Sequence, residues 1–128
     1  MSRRLLVIDD EEDIREVASL TLELKEGWEV AAAGSGADGI RLARDGAPPD
    51  AILLDVMMPD MDGPTTLRML RALPETQAIP VIFLTAKVQA ADRRRYLDMG
   101  VSGVIAKPFD PLMLGRNICE CLNWPVVA

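Results

Sequence analysis

Asp9, Asp10, Asp55, Thr85 and Lys107 are scattered along the chain, yet each stands at the end of a short apolar run. The runs are Leu5 to Ile8, Ala51 to Leu54, Val81 to Leu84 and Val104 to Ala106, and each reads as a β-strand. In an open parallel sheet the crevice beyond the carboxyl ends of the strands is where ligands bind. Three carboxylates meeting there would offer the oxygen-only, anionic site that Mg²⁺ prefers, and Mg²⁺ shares its shell with waters and phosphate oxygens. A hydroxyl and an ammonium beside them would supply a donor and a point charge to a phosphoryl group. Without a cation, the three acids would raise one another's pKa and take up protons.

Singly, several of these residues have plainer uses. Asp9 and Asp10 could serve as acids at a helix N-terminus. Thr85 alone is an ordinary strand-end threonine, and Lys107 alone a surface lysine. Asp55 stands apart, because a loop through Met57 to Pro59 follows it rather than a helix it could cap. Its carboxylate could attack phosphorus to form an aspartyl phosphate, with the metal neutralising charge on the incoming group. Lys107 precedes Pro108 and Phe109, and a cis bond at that proline would fix where the lysine points.

Compact apolar runs alternate with helical spacing through the whole chain, the pattern of βα units on a parallel sheet. The first helix carries Ile14, Val17, Ala18 and Leu22 on one face and ends near Gly27. Trp28 to Ala33 is a weaker second strand, and Gly34-Ser35-Gly36 leads into a helix with Ile40, Leu42 and Ala43, for which Ser35 is the N-cap. The third strand, Asp50 to Asp55, has an unbroken apolar centre that predicts burial on both faces. Leu67, Leu70 and Leu73 mark a third helix that stops before Pro74. Ile79 to Leu84 is the fourth strand, Val88 to Met99 the fourth helix and Val101 to Ala106 the fifth strand. Leu114, Ile118, Cys121 and Leu122 form the inner stripe of a last helix closed by Pro125. One domain over residues 1–128 is expected, with its core at about 4–122. A short apolar tail, Trp124 to Ala128, either packs back on the last helix or forms a contact patch.

A chain of 128 residues with 49% apolar and 27% charged content can bury a core without staples. A net charge of −6 argues against a nucleic-acid face. No apolar stretch approaches membrane-spanning length and no signal peptide is evident, so membrane insertion is not expected and a cytoplasmic setting is. Cys119 and Cys121 lie on different faces of a helix, which predicts two reduced thiols. The chain has no histidine, so any phosphohistidine must belong to a partner.

In combination, Asp9-Asp10-Glu11, the stretch from Leu53 through Asp55 to Gly63, Leu84-Thr85-Ala86 and Lys107-Pro108-Phe109 resemble the receiver domain of bacterial response regulators, over Leu5 to about Leu122. The resemblance implies a flavodoxin-like α/β fold: a doubly wound, five-stranded parallel sheet of order 2-1-3-4-5 with helices on both faces. It implies that Asp55 is the phosphoacceptor and that Asp9, Asp10, Asp55 and the Met57 backbone carbonyl hold Mg²⁺. Thr85, the Ala86 backbone and Lys107 would bind the phosphoryl group, and Pro108 would shape the turn. A histidine kinase or histidine phosphotransfer protein would be the donor, in a two-component phosphorelay. The domain would then be a switch rather than an enzyme, standing alone and acting on a downstream protein.

Two departures from the family pattern bear on output. The switch region would comprise Thr85 and the residue three before Lys107, which is Val104 here rather than an aromatic. Met57 and Lys87 occupy positions that flank the phosphoryl site, and Met57 is expected to shield phosphorus from water and slow dephosphorylation. Arg93-Arg94-Arg95 falls on a helix that partners use in this family, or is simply a solvated face. Among alternatives, an aspartate-based, Mg-dependent phosphatase would need a second acid where Met57 stands. A flavodoxin-like cofactor binder would meet carboxylates in the first loop, and a receiver fragment of a larger regulator or hybrid kinase stays open.

Overall fold

The computed structural model describes residues 3–126; Met1, Ser2 and the tail's last two residues, Val127 and Ala128, lie outside them. Five strands alternate with five α-helices: β1 Arg4–Ile8, α1 Glu12–Thr21, β2 Glu29–Ala33, α2 Gly36–Asp45, β3 Ala51–Asp55, α3 Gly63–Ala72, β4 Val81–Thr85, α4 Ala90–Asp98, β5 Gly103–Ala106 and α5 Leu114–Leu122. A π-helical turn, Leu22–Glu26, extends α1, and a 3₁₀ turn, Pro111–Met113, leads into α5. The sheet is wholly parallel and ordered β2-β1-β3-β4-β5, as the resemblance implies.

Alternation along the strands divides the core in two. Leu6, Ile8, Ile52, Leu54, Val81, Phe83 and Val104 face one layer, where α2, α3 and α4 contribute Ile40, Leu67, Leu70 and Tyr96. Leu5, Val7, Ala51, Leu53, Ile82, Leu84 and Ile105 face the other, where α1, the π turn and α5 contribute Ala18, Leu22, Leu114 and Ile118. β3 and β4 are buried along their whole lengths. Burial of each such Leu or Ile stabilises by about 1.5–3 kcal/mol, so the two central strands anchor the crevice end.

Some inward assignments made from spacing do not hold. Val17 is 40% exposed, because the inner arc of α1 is centred on small Ala18 and turns Val17 aside by one helical step. Leu42 is also exposed; Gly36, Gly39 and Ile40 carry the contact of α2 instead. On α5 the buried thiol is Cys119, while Cys121 is half-buried beside Gly103, and both are free. α4 is shorter than the spacing predicts and buries only Tyr96. Among expected caps, Ser35 does accept the Asp38 amide at 3.2 Å, and Gly27, at φ +73°, ends the π turn in the left-handed region. Trp124 packs back: it meets the Trp28 ring edge-on at 5.9 Å, with the Arg3 guanidinium 4.1 Å above it.

Candidate functional site

Three strand ends are built the same way. Asp9 Oδ1 accepts the Glu11 amide at 2.9 Å, Asp55 Oδ1 accepts the Met57 amide at 3.3 Å, and Thr85 Oγ1 accepts the Lys87 amide at 3.0 Å. Each side chain turns its own chain out of the sheet by bonding two residues ahead, as Asp and Thr do at turns. Asp9 is therefore not a helix cap: the N-cap of α1 is Glu11, which makes no side-chain cap bond. The sequence pattern does not by itself show these repeated bonds. Their signal in sequence is an Asp or Thr that closes an apolar run ahead of a loop.

Parallel pairing in register brings those ends together. Ile8 pairs with Leu54, Asp55 with Leu84 and Thr85 with Ala106, so the residues just beyond converge at one rim. Gly63 makes this packing possible, since a Cβ there would lie 2.7 Å from the Asp55 carbonyl oxygen. Asp62 caps α3 by accepting the Thr65 amide, which holds its carboxyl below the usual range and pins the far end of the loop.

The carboxylates of Asp9, Asp10 and Asp55 offer oxygens that all lie within 4.8 Å of one another. Asp9 and Asp55 are buried, whereas Asp10 is exposed at the mouth. The Lys107 ammonium sits 2.8 Å from Asp9 Oδ2 and 3.3 Å from Asp55 Oδ2, and its peptide bond to Pro108 is cis. Yet both oxygens lack an aligned hydrogen bond, so Lys107 meets them as a charge and leaves lone pairs for another ligand. Burial first, and then the Asp9 charge, raises the Asp55 carboxyl to about 7 against the pull of Lys107. Burial alone would lower the Lys107 pKa, but Asp9 and Asp55 raise it overall. Two orphaned buried oxygens and a third acid at the mouth fit a hard divalent cation. Of the other sequence candidates, Met57 is 63% exposed at the same rim, Ala86 is exposed beside Thr85, and Val104 is buried on β5.

The Arg93–Arg95 run proves not to be one surface. Arg93 donates to the Val104 carbonyl at 3.3 Å, and Arg95 pairs with Asp92 while lying over the Tyr96 ring. Among the described residues no helix is long and apolar enough to cross a membrane.

Known proteins share this fold. Vibrio cholerae chemotaxis protein CheY4 superposes with a TM-score of 0.86 at 28% identity, over 94% of this chain and 99% of that one. The receiver domain of sensor histidine kinase PA1611 from Pseudomonas aeruginosa, with a magnesium ion coordinated in its active-site cleft, superposes with a TM-score of 0.82 at 28% identity, over 96% and 99%. In sequence, response regulator PleD of Caulobacter vibrioides is 44% identical over 99% of this chain and 28% of its own length. Probable transcriptional regulatory protein TcrX of Mycobacterium tuberculosis is 42% identical over 82% of this chain and 43% of its own. The chain thus spans less than half of either curated relative. The family model described as response regulator receiver domain matches residues 5–118, which include all of the sheet except Arg4 and each of the five convergent residues. With sheet order, relatives and family match in agreement, the chain belongs to the response regulator receiver domains.

Proposed function

We propose that Asp55 is the phosphoacceptor of this receiver. The observation that carries the reading is its buried carboxylate, with one oxygen free of aligned hydrogen bonds, beside both Lys107 and two further acids. An Asp55 oxygen attacks phosphorus, the bond to the donor's imidazole nitrogen breaks, and the imidazole leaves with the electron pair and regains a proton. Lys107 exchanges its contact with Asp55 for one with a phosphoryl oxygen. Thr85, whose hydroxyl accepts from Lys87 and keeps its proton free, donates to another, and the Ala86 amide adjoins it.

Asp9, Asp10, Asp55 and the Met57 carbonyl would hold Mg²⁺, which neutralises charge between two anionic reactants when bound. Met57, exposed two residues beyond Asp55, slows the approach of water to the acyl phosphate. The donor is a histidine kinase or histidine phosphotransfer protein, consistent with a chain that has no histidine. Output passes to a downstream protein in the cytoplasm; on this domain's own surface the charge of −6 suits a protein partner better than nucleic acid.

Incubation with acetyl phosphate and Mg²⁺, followed by intact mass, tests the assignment. Wild type gains one phosphoryl mass and Asp55→Asn gains none; equal labelling of both would overturn it. Rapid turnover of unrelated phosphoesters would point instead to a phosphatase.

A further inference from the structure

Arg15 belongs to none of the roles above, although it reaches the same rim from the first turns of α1. Its Nη1 donates to the backbone carbonyl of Asp9 at 2.9 Å. That carbonyl lies one residue past the last β1 pairings, Ile8 with Ala33 and with Leu54, so no strand neighbour continues the ladder to it. The Asp9 amide is held separately by the Ala33 carbonyl at 3.1 Å. Residue 34 is glycine, and a Cβ there would stand 3.2 Å from Arg15 Nη1 and 3.5 Å from its Cζ. The guanidinium therefore fills the gap where β1 and β2 part, against bare backbone.

We infer that Arg15 is a positioning residue that sets the Asp9–Asp10 peptide so that both carboxylates face the divalent cation; this rests on the metal reading above. Lys107 approaches Asp9 from the β5 side of the rim and takes up a carboxylate oxygen. Arg15 approaches from the β2 side and takes up only the carbonyl, so no metal-ligating atom is consumed. The peptide it grips carries Asp9 on one side and exposed Asp10 on the other, and a rotation there would turn Asp10 away from the cluster.

The sign of one substitution separates positioning from bulk charge. Deleting a cation near three acids should by itself tighten Mg²⁺ binding. Loss of a positioning contact should weaken it, by about tenfold on the scale of outer-shell partners in metal sites. The test is a titration of the whole chain with magnesium chloride, by calorimetry or amide NMR, for wild type, Arg15→Met, Arg15→Lys and Gly34→Ala. Arg15→Met keeps the apolar stem and is expected to bind Mg²⁺ about tenfold more weakly, while Arg15→Lys returns to within about twofold of wild type.

Gly34→Ala leaves Arg15 in place but pushes its guanidinium aside, and is expected to weaken binding in the same direction by less. It decides the matter alone if Arg15→Met does not fold. At saturating Mg²⁺, labelling of Arg15→Met by acetyl phosphate returns to the wild-type rate, because Asp55, Thr85 and Lys107 are untouched. Unchanged or tighter Mg²⁺ binding by both Arg15→Met and Gly34→Ala overturns the inference, as does a labelling defect that Mg²⁺ cannot rescue. Failure of wild type itself to bind Mg²⁺ would instead sink the metal reading.

Discussion

The charged rim above β1, β3 and β5 and the wall formed by α4 are neighbours, but they are held in opposite ways. At the rim, Asp9 and Asp55 are buried, each bonds the loop that follows it, and one half-buried lysine faces both. α4 touches the core through a single buried residue, Tyr96, whose ring meets Phe83 edge-on at 5.3 Å, and through the Arg93 bond to the Val104 carbonyl. Phosphoryl chemistry needs groups that do not wander, whereas a switch needs an element that moves at low cost. The contrast suits the proposed chemistry at the densely bonded end of the sheet and a response in its thinly attached neighbour.

Removing the rim's central charge should have the largest effect. Without Mg²⁺ at pH 8, Lys107→Met is expected to cost about 3 kcal/mol in urea unfolding, because two buried carboxylates lose the one ammonium that pairs with both among the described residues. A cost under about 1 kcal/mol would mean that the rim is not a closed set of charges. Tyr96→Ala comes next, at about 2–3 kcal/mol. Hydrogen exchange should show the loss first in α4, with β1 and β3 amides still protected; uniform loss across the sheet would erase the contrast.

A subtler test uses pH. The Asp55 carboxyl titrates near 7 in the folded protein against an ordinary 3.8, so the folded state holds that proton more tightly than the unfolded one. Its contribution to stability is full below about 3.8, falls as pH rises through the window up to about 7, and is lost above it. Without Mg²⁺, Asp55→Asn should therefore melt several degrees above wild type at pH 8, with the gap closing toward pH 5. A gap that does not depend on pH would show that Asp55 is not the source. Arg93→Gln should do least, under about 1 kcal/mol in stability, while raising exchange in α4. An unchanged exchange pattern would remove Arg93 from the attachment of that helix.

Much of this is legible in the sequence. Strand placement followed from apolar runs, because a strand buried on both faces has little choice but to be continuously apolar, as at Ile52 to Leu54. Asp55 stood out because an acid ending such a run has no local role to absorb it. Thr85 and Lys107 were weak alone and gained meaning only beside it. Helix faces were less legible: Val17 and Leu42 obey helical spacing yet face solvent, since spacing marks an arc and the underlying sheet decides how much of it is covered.

What the sequence determined by itself is local: the order of βα units, the chemistry at each strand end, the Ser35 cap, and the absence of an internal histidine donor. Tertiary structure decided which lone pairs stay free, that Lys107 lies nearer Asp9 than Asp55, and that Arg93, drawn from a run of three like charges, belongs to a backbone carbonyl. It also decided that Arg15 reaches back to the end of β1. The physical reason is range. Patterns of burial and turn chemistry act within a few residues, but the fate of a charge depends on which distant strand ends surround it and how much water they exclude.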